Sequence, residues 1–305
     1  LGALSCIFWT LTLQTTVKYI LITLKADNKG EGGIMALFAL LKKRKNWFYI
    51  VAIVGGCALL ADGIITPAIT VTSAIEGLRI LKPGIPVVAV VFVILSVLFF
   101  IQQFGTAFLG KSFGPLMLFW FSMIGVLGLV QLVRVPEVLL AVNPYYAIKL
   151  LSAYPNGFLL LGAVFLCTTG AEALYSDMGH CGRDNIRISW IFVKSMLILN
   201  YLGQTAWLLA QNGKTLNGAN PFYSIMPTWF LPIGIGIATV ATVVASQALI
   251  SGSFTLINEA MRLNFWPKVK IKYPTELKGQ MYISSINWLL YAGCVFIVLY
   301  FKEAS

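Results

Sequence analysis

Runs of roughly 20 mostly apolar residues recur about eight times along the chain, near 3–24, 48–80, 86–105, 114–134, 157–176, 187–210, 232–262 and 283–301. That is the length a helix needs to cross the hydrocarbon of a bilayer. In lipid, backbone polar groups must be satisfied inside the segment, which leaves a helix for runs of this kind. The sequence therefore predicts an all-α polytopic membrane protein, read as a single integral domain over 1–305. The runs 48–80 and 232–262 are long enough to tilt, kink or project beyond the bilayer. Composition agrees: 58% of residues are hydrophobic and 11% charged, where a soluble domain carries about 25% charged residues.

A net charge of +11 raises the prospect of a nucleic-acid partner, but its distribution argues against one. The connections after the first, third, fifth and seventh runs hold fourteen Lys and Arg residues, among them Lys42, Lys43, Arg44 and Lys45, and those on the other side hold five. Positive loops stay in the cytoplasm, so the first run enters from outside and the basicity is topological. The chain opens at Leu1 inside a run and stops shortly after the last one, the pattern expected of an internal fragment. Five cysteines, mostly within runs and without ligand spacing, read as buried inert thiols.

The segment 25–46 has a polar glycine turn, then an apolar stretch ending in the basic cluster. It is read as a short helix on the cytoplasmic surface, with a plain loop as the alternative. Residues 105–112, GTAFLGKS, fit the phosphate-loop pattern letter for letter. That motif works only between a strand and a helix, and here it joins two apolar runs, so nucleotide binding is set aside. Gly234 and Gly236 are expected to serve close helix packing.

Against this background the stretch 57–78, CALLADGIITPAITVTSAIEGL, stands out. On a helix that turns about 100° per residue, Asp62, Thr66, Thr70, Ser73 and Glu76 all fall within an arc of about 120°. Five oxygen-bearing side chains share one face. Asp62 and Glu76 lie about 21 Å apart along the axis, a separation that suits a path better than a single site. Pro67 removes a backbone hydrogen bond within the same turns. An ionised carboxylate at mid-depth costs on the order of 3 kcal/mol or more, which favours a lined path for Asp62. For Glu76, an interfacial position is an equally good reading.

A second constellation occupies 162–182, GAVFLCTTGAEALYSDMGHCG. Thr169 and Glu172, three apart, can share a helix face. Gly170 lies in a stretch of small residues where a membrane helix can break and expose carbonyls to a cavity. Hydroxyls, carbonyls and one carboxylate are hard oxygen ligands suited to an alkali cation. Asp177 and His180 fall at the end of this run, where a solvated terminus accounts for them. Glu259 is either a gate residue or, preferably, the polar end of a long helix, and Lys194 either pairs with a carboxylate or snorkels.

ADGIITPAITVTSAIEGL (61–78), KADNKGEGGIMALFALL (25–41), GTAFLGKSFGP (105–115), NPYYAI (143–148), GAEALYSDMGHCGR (170–183) and QALISGSFTLINEAMRL (247–263) closely resemble motifs of the KUP/HAK/KT potassium uptake permeases. Ala61 stands where that family has glycine, and Ser176 and Cys181 are small departures. The family's first helix, whose GDIGTSPLY motif supplies an aspartate and a tyrosine to the site, is absent, as are the final helices and the cytoplasmic tail.

The resemblance implies an amino acid–polyamine–organocation (LeuT-like) fold of two inverted repeats, with the eight runs as family helices two to nine. It implies a multi-pass plasma-membrane protein that couples K⁺ entry to proton entry by alternating access. Asp62, Thr66 and Thr70 would be the contribution of helix three to the K⁺ site, and Thr169 and Glu172 that of helix six, with Thr66, Thr169 and Glu172 coordinating the ion. Asp62, Glu76 and Glu172 are the candidates for the coupling proton. The expected partners are K⁺, H⁺ and the lipid bilayer, with a homodimer left open, no nucleic acid, no cofactor and no enzymatic activity. The rival readings are a channel or uniporter, an amino-acid permease on the same fold, a membrane hydrolase using Asp177 and His180, a structural subunit, and a fragment that does not transport.

Overall fold

The computed structural model describes residues 1–28, 30–41, 47–105, 107–176, 178–211, 213, 215–216, 218–274 and 281–301. We label its main helices α1 (Gly2–Lys25), α2 (Ile34–Leu41), α3 (Phe48–Glu76), α4 (Val87–Ile101), α5 (Ala107–Arg134), α6 (Pro144–Ala153), α7 (Gly157–Leu166), α8 (Ala171–Ser176), α9 (Arg183–Ala210), α10 (Leu231–Arg262) and α11 (Ser284–Phe301). Two isolated bridges, Asn28 with Glu31 and Lys272 with Tyr282, are the extended pairings among the described residues.

Among the described residues, seven helical segments are long and apolar enough to cross a membrane, and they match seven of the eight expected runs. The remaining run, the fifth (157–176), is not continuous: α7 stops at Leu166 and α8 starts at Ala171. Within α1 the winding changes from α (Gly2–Thr10) to π (Leu11–Ile22) and then to 3₁₀. The Thr16 and Thr23 hydroxyls donate to carbonyls five residues back, Leu11 and Lys18, in step with the wider π turn. Sequence explains other ends directly. The Asn143 side chain accepts from the Tyr145 amide at 2.9 Å and Pro144 opens α6, a capping asparagine followed by a pre-set first turn.

The chain divides into two compact units. The first comprises Leu1–Ala26 and Leu118–Thr228. Its core joins Leu4 of α1 to Val138 and Ala141, and to Leu202 and Ala206 of α9. Ser5 donates to the Asn143 carbonyl at 3.0 Å and Trp9 to that of Val142 at 3.0 Å. Helix α5 crosses α9 with backbone nearly touching backbone: Gly128 lies against Leu199, Asn200 and Gly203.

The second unit comprises Asp27–Met117 and Trp229–Ser305. Helices α3, α4, α10 and α11 surround an apolar core that includes Val71, Ile75, Leu95, Phe99, Ile250, Phe254 and Leu290. Gln102 and Gln247, both buried, exchange side-chain amide hydrogen bonds, one of them at 2.9 Å. Asn287 donates to the Phe99 carbonyl at 3.1 Å. Large apolar side chains also remain exposed on the long helices, such as Val93, Phe100, Ile233 and Phe296, as lipid-facing surfaces require.

Several expectations change in detail. The short helix after the glycine turn exists as α2, but it is packed into the second unit, with Met35 against Gly56 and in one cluster with Leu59, Leu256 and Ala260. Its basic cluster, 42–46, lies outside the described residues. Residues 107–112 of the phosphate-loop pattern are already helix within α5, and a helical turn, Gln102–Phe104, precedes Gly105, so no strand leads into the pattern as a phosphate loop requires. Gly234 is buried, whereas Gly236 is exposed and a Cβ there would meet open space. The close packing expected at 236 is found at other glycines. Cys6 and Cys294 are buried, but Cys57, Cys167 and Cys181 are exposed, the first two because the runs that carry them present one face outward.

Candidate functional site

Helix α3 is partitioned lengthwise. Gly63, Pro67, Ala68, Val71 and Ala74 are buried, Ala61, Ile65 and Ile69 are exposed, and Asp62, Thr66, Thr70, Ser73 and Glu76 form a half-buried strip between them. A period near 3.6 produces this division from the sequence alone. Gly63 fixes the depth of the helix in its unit, since a Cβ there would lie 2.7 Å from Ser253 Oγ of α10. On the other side, a Cβ on Gly293 of α11 would lie 2.7 Å from Ile64. The helix is thus gripped at the level of Asp62.

Within the strip the hydroxyl protons of Thr66 and Thr70 are committed. Thr66 Oγ1 donates to Asp62 Oδ1 at 2.5 Å, and Thr70 Oγ1 donates to the Thr66 carbonyl at 2.7 Å. Asp62 Oδ2 is buried and makes no hydrogen bond among the described residues. A threonine oxygen that has given its proton away keeps lone pairs, so the strip offers oxygen acceptors and no free O–H donor at Thr66 or Thr70. Such a surface favours a cation. The missing N–H of Pro67 also withdraws the helical bond to the Gly63 carbonyl, one residue from Asp62. Glu76, half-buried, is the last residue of α3.

The second expected group lies in the first unit, at the gap between α7 and α8. Gly170 has φ +90°, a left-handed backbone that glycine adopts without strain. The Thr168 hydroxyl turns back to the Phe165 carbonyl at 3.0 Å. Thr169 is exposed in the turn and Glu172, half-buried, is in the first turn of α8. The two do not share a helix face as their spacing suggested, because the helix is interrupted between them. Tyr19 of α1 lies within electrostatic reach of Glu172.

The structure therefore brings Asp62, Thr66 and Thr70 together on α3, and Thr169 and Glu172 together at the break, in separate units. Residues that the sequence reading missed hold the break in place. Tyr201 of α9 donates its phenol proton to the Cys167 carbonyl at 2.5 Å, and Tyr175 of α8 donates to the Ala26 carbonyl at 2.5 Å. Nothing in the sequence marks a tyrosine on an apolar helix as the partner of a particular carbonyl. Gln247, an amide within a 32-residue apolar helix, is a signal that was there to be seen.

The remaining ionisable candidates are peripheral to these groups. Glu259, one turn from the end of α10, lines a cleft of about 170 Å³ with Asn28, Glu31 and Arg262. Lys194 is half-buried on α9 and makes no ion pair among the described residues. Asp177 and the side chain of His180 lie outside the described residues.

An all-helical chain with seven membrane-length segments among its described residues belongs to the class of multi-pass membrane proteins. The comparisons with known proteins narrow the class. A family model described as the K⁺ potassium transporter integral membrane domain matches residues 1–305, and the chain belongs to that family. It is 65% identical over 314 residues to the probable potassium transport system protein Kup of Flavobacterium johnsoniae. It is 67% identical over 311 residues to that of Flavobacterium psychrophilum, and 53% over 319 to that of Clostridium perfringens strain ATCC 13124. Each match takes in the whole of this chain, which spans about half, 48%, of the length of these relatives. No solved structure matches.

Proposed function

We propose that the chain is the membrane core of a potassium uptake permease of the plasma membrane, working as a K⁺/H⁺ symporter by alternating access. The observation that carries this reading is the strip on α3: Thr66 and Thr70 turn their protons inward and leave oxygen lone pairs beside a carboxylate. Acceptor-only oxygens replace the hydration shell of a cation and repel an anion. The similarity to Kup potassium transport proteins supports K⁺ as that cation.

In this reading K⁺ exchanges water for the oxygens of Thr66, Thr70 and Asp62 on α3, and along its path for those of Thr169 and Glu172 at the break. Asp62 Oδ2, buried without a hydrogen-bond partner among the described residues, is a place for either the ion or the coupling proton. Glu172 and Glu76 are the other proton candidates. The interruption of the fifth run at 167–170 supports an inverted-repeat organisation, since such transporters build substrate sites from broken helices.

The test is Rb⁺ uptake into vesicles holding the full-length parent, beside its Asp62→Asn variant, with and without an inward proton gradient. Uptake driven by the gradient and lost in the variant is expected. Uptake indifferent to both the gradient and the substitution would mean a channel or uniporter in which Asp62 is structural.

A further inference from the structure

The break between α7 and α8 is held at both flanks by phenols. On one side Cys167, the residue that ends α7, passes its carbonyl to Tyr201 Oη at 2.5 Å. The carbonyls that end a helix have no partner within it, and this one finds a partner on another helix. On the far side Tyr175 of α8, 3% exposed, donates to the Ala26 carbonyl at 2.5 Å. Between the anchors, Thr169 is exposed, and a Cβ at Gly170 would meet open space.

The foundation under Tyr201 is firm. Its neighbours Asn200 and Leu202 are buried, and the backbone from Leu199 to Gly203 is in direct contact with Gly128 of α5. Tyr201 cannot follow a drifting loop without opening that crossing. The bond therefore fixes where the Cys167 carbonyl points, and with it the entry of the chain into the turn that presents Thr169 and Glu172.

We propose that Tyr201 is a positioning residue for the cation path: its phenol sets the geometry of the unwound segment 167–170 and thereby the oxygens offered by Thr169 and Glu172. The inference rests on the transport reading above. It predicts an effect on ion binding and not on the turnover of the loaded protein.

The experiment uses the full-length parent and its Tyr201→Phe variant in vesicles, which differ by one oxygen atom. Two quantities are measured: the KM and Vmax of Rb⁺ uptake, and the rate at which N-ethylmaleimide modifies Cys167, read by mass spectrometry against Cys57 in the same protein. The expected result is a KM raised about five- to tenfold, the scale of one lost hydrogen bond, with Vmax within about twofold. The Cys167 rate, referred to Cys57, should change severalfold as the segment loses its anchor.

An unchanged KM together with an unchanged Cys167 rate overturns the proposal. So does a fall in Vmax alone, or a variant that no longer inserts, since either places the bond in turnover or in folding. A parent that takes up no Rb⁺ fails the transport reading instead, and the Cys167 rate then still decides whether Tyr201 sets the segment.

Discussion

Thr66 gives its hydroxyl proton to Asp62 one helical turn earlier, at 2.5 Å, on the half-buried strip of α3. The pair joins a carboxylate to a hydroxyl whose lone pairs stay available. Replacing Thr66 by Val keeps the shape but removes both the donor to Asp62 and the oxygen. In the full-length transporter this should lower the kcat/KM of Rb⁺ uptake by about tenfold or more, while Thr66→Ser stays within about threefold. Equal activity of the Val and Ser variants would remove Thr66 from the path.

Glu172 opens α8 beside the unwound turn. Glu172→Gln preserves size while removing the charge and turning one acceptor oxygen into an N–H donor, so uptake should be abolished with the protein still inserted at parental levels. Uptake kinetics and membrane quantification on one preparation decide the matter, and wild-type uptake by the variant would eliminate this assignment.

Gly63 sits against Ser253, which is itself buried and bonded to the Leu249 carbonyl at 2.9 Å. A methyl group there overpacks the contact between α3 and α10. Gly63→Ala should destabilise the protein by about 1–3 kcal/mol, and Ser253→Ala in the same chain should recover most of that. Thermal unfolding of the single and double variants in detergent gives the answer. No recovery in the double variant would place the strain elsewhere.

Gln102 and Gln247, both buried, satisfy each other. Gln247→Leu leaves the Gln102 amide buried without its partner and should cost about 1–3 kcal/mol, whereas replacing both by Leu should be close to neutral. A double variant as unstable as the sum of the singles would show that the two amides are not coupled.

Much of this fold was legible before any coordinates, for physical reasons. A membrane span is announced by length and hydrophobicity together, which is why seven runs appear as continuous helices. The polar strip of α3 was legible because helical periodicity places 62, 66, 70, 73 and 76 side by side whatever surrounds them. The interruption at 167–170 was visible as a weak point, but not its form. A spacing of three reads as one face only while the helix continues, and Gly170 turns the chain between Thr169 and Glu172. Gly236 misled because a small residue permits close packing without requiring it. The phenol anchors Tyr201 and Tyr175 were invisible, since each bond joins residues far apart in sequence and depends on how helices meet.

The lengthwise division of α3 makes the helix a built-in ruler for spectroscopic probes. A reporter at Ile65 senses the outer surface, and one at Thr66 senses the oxygen strip. One at Pro67 would be wedged into the core. Three consecutive positions thus sample three environments within less than one turn, about 3 Å of rise. A probe walked from 61 to 76 should return a signal of helical period, and the residue at which that period slips marks where the oxygen strip ends.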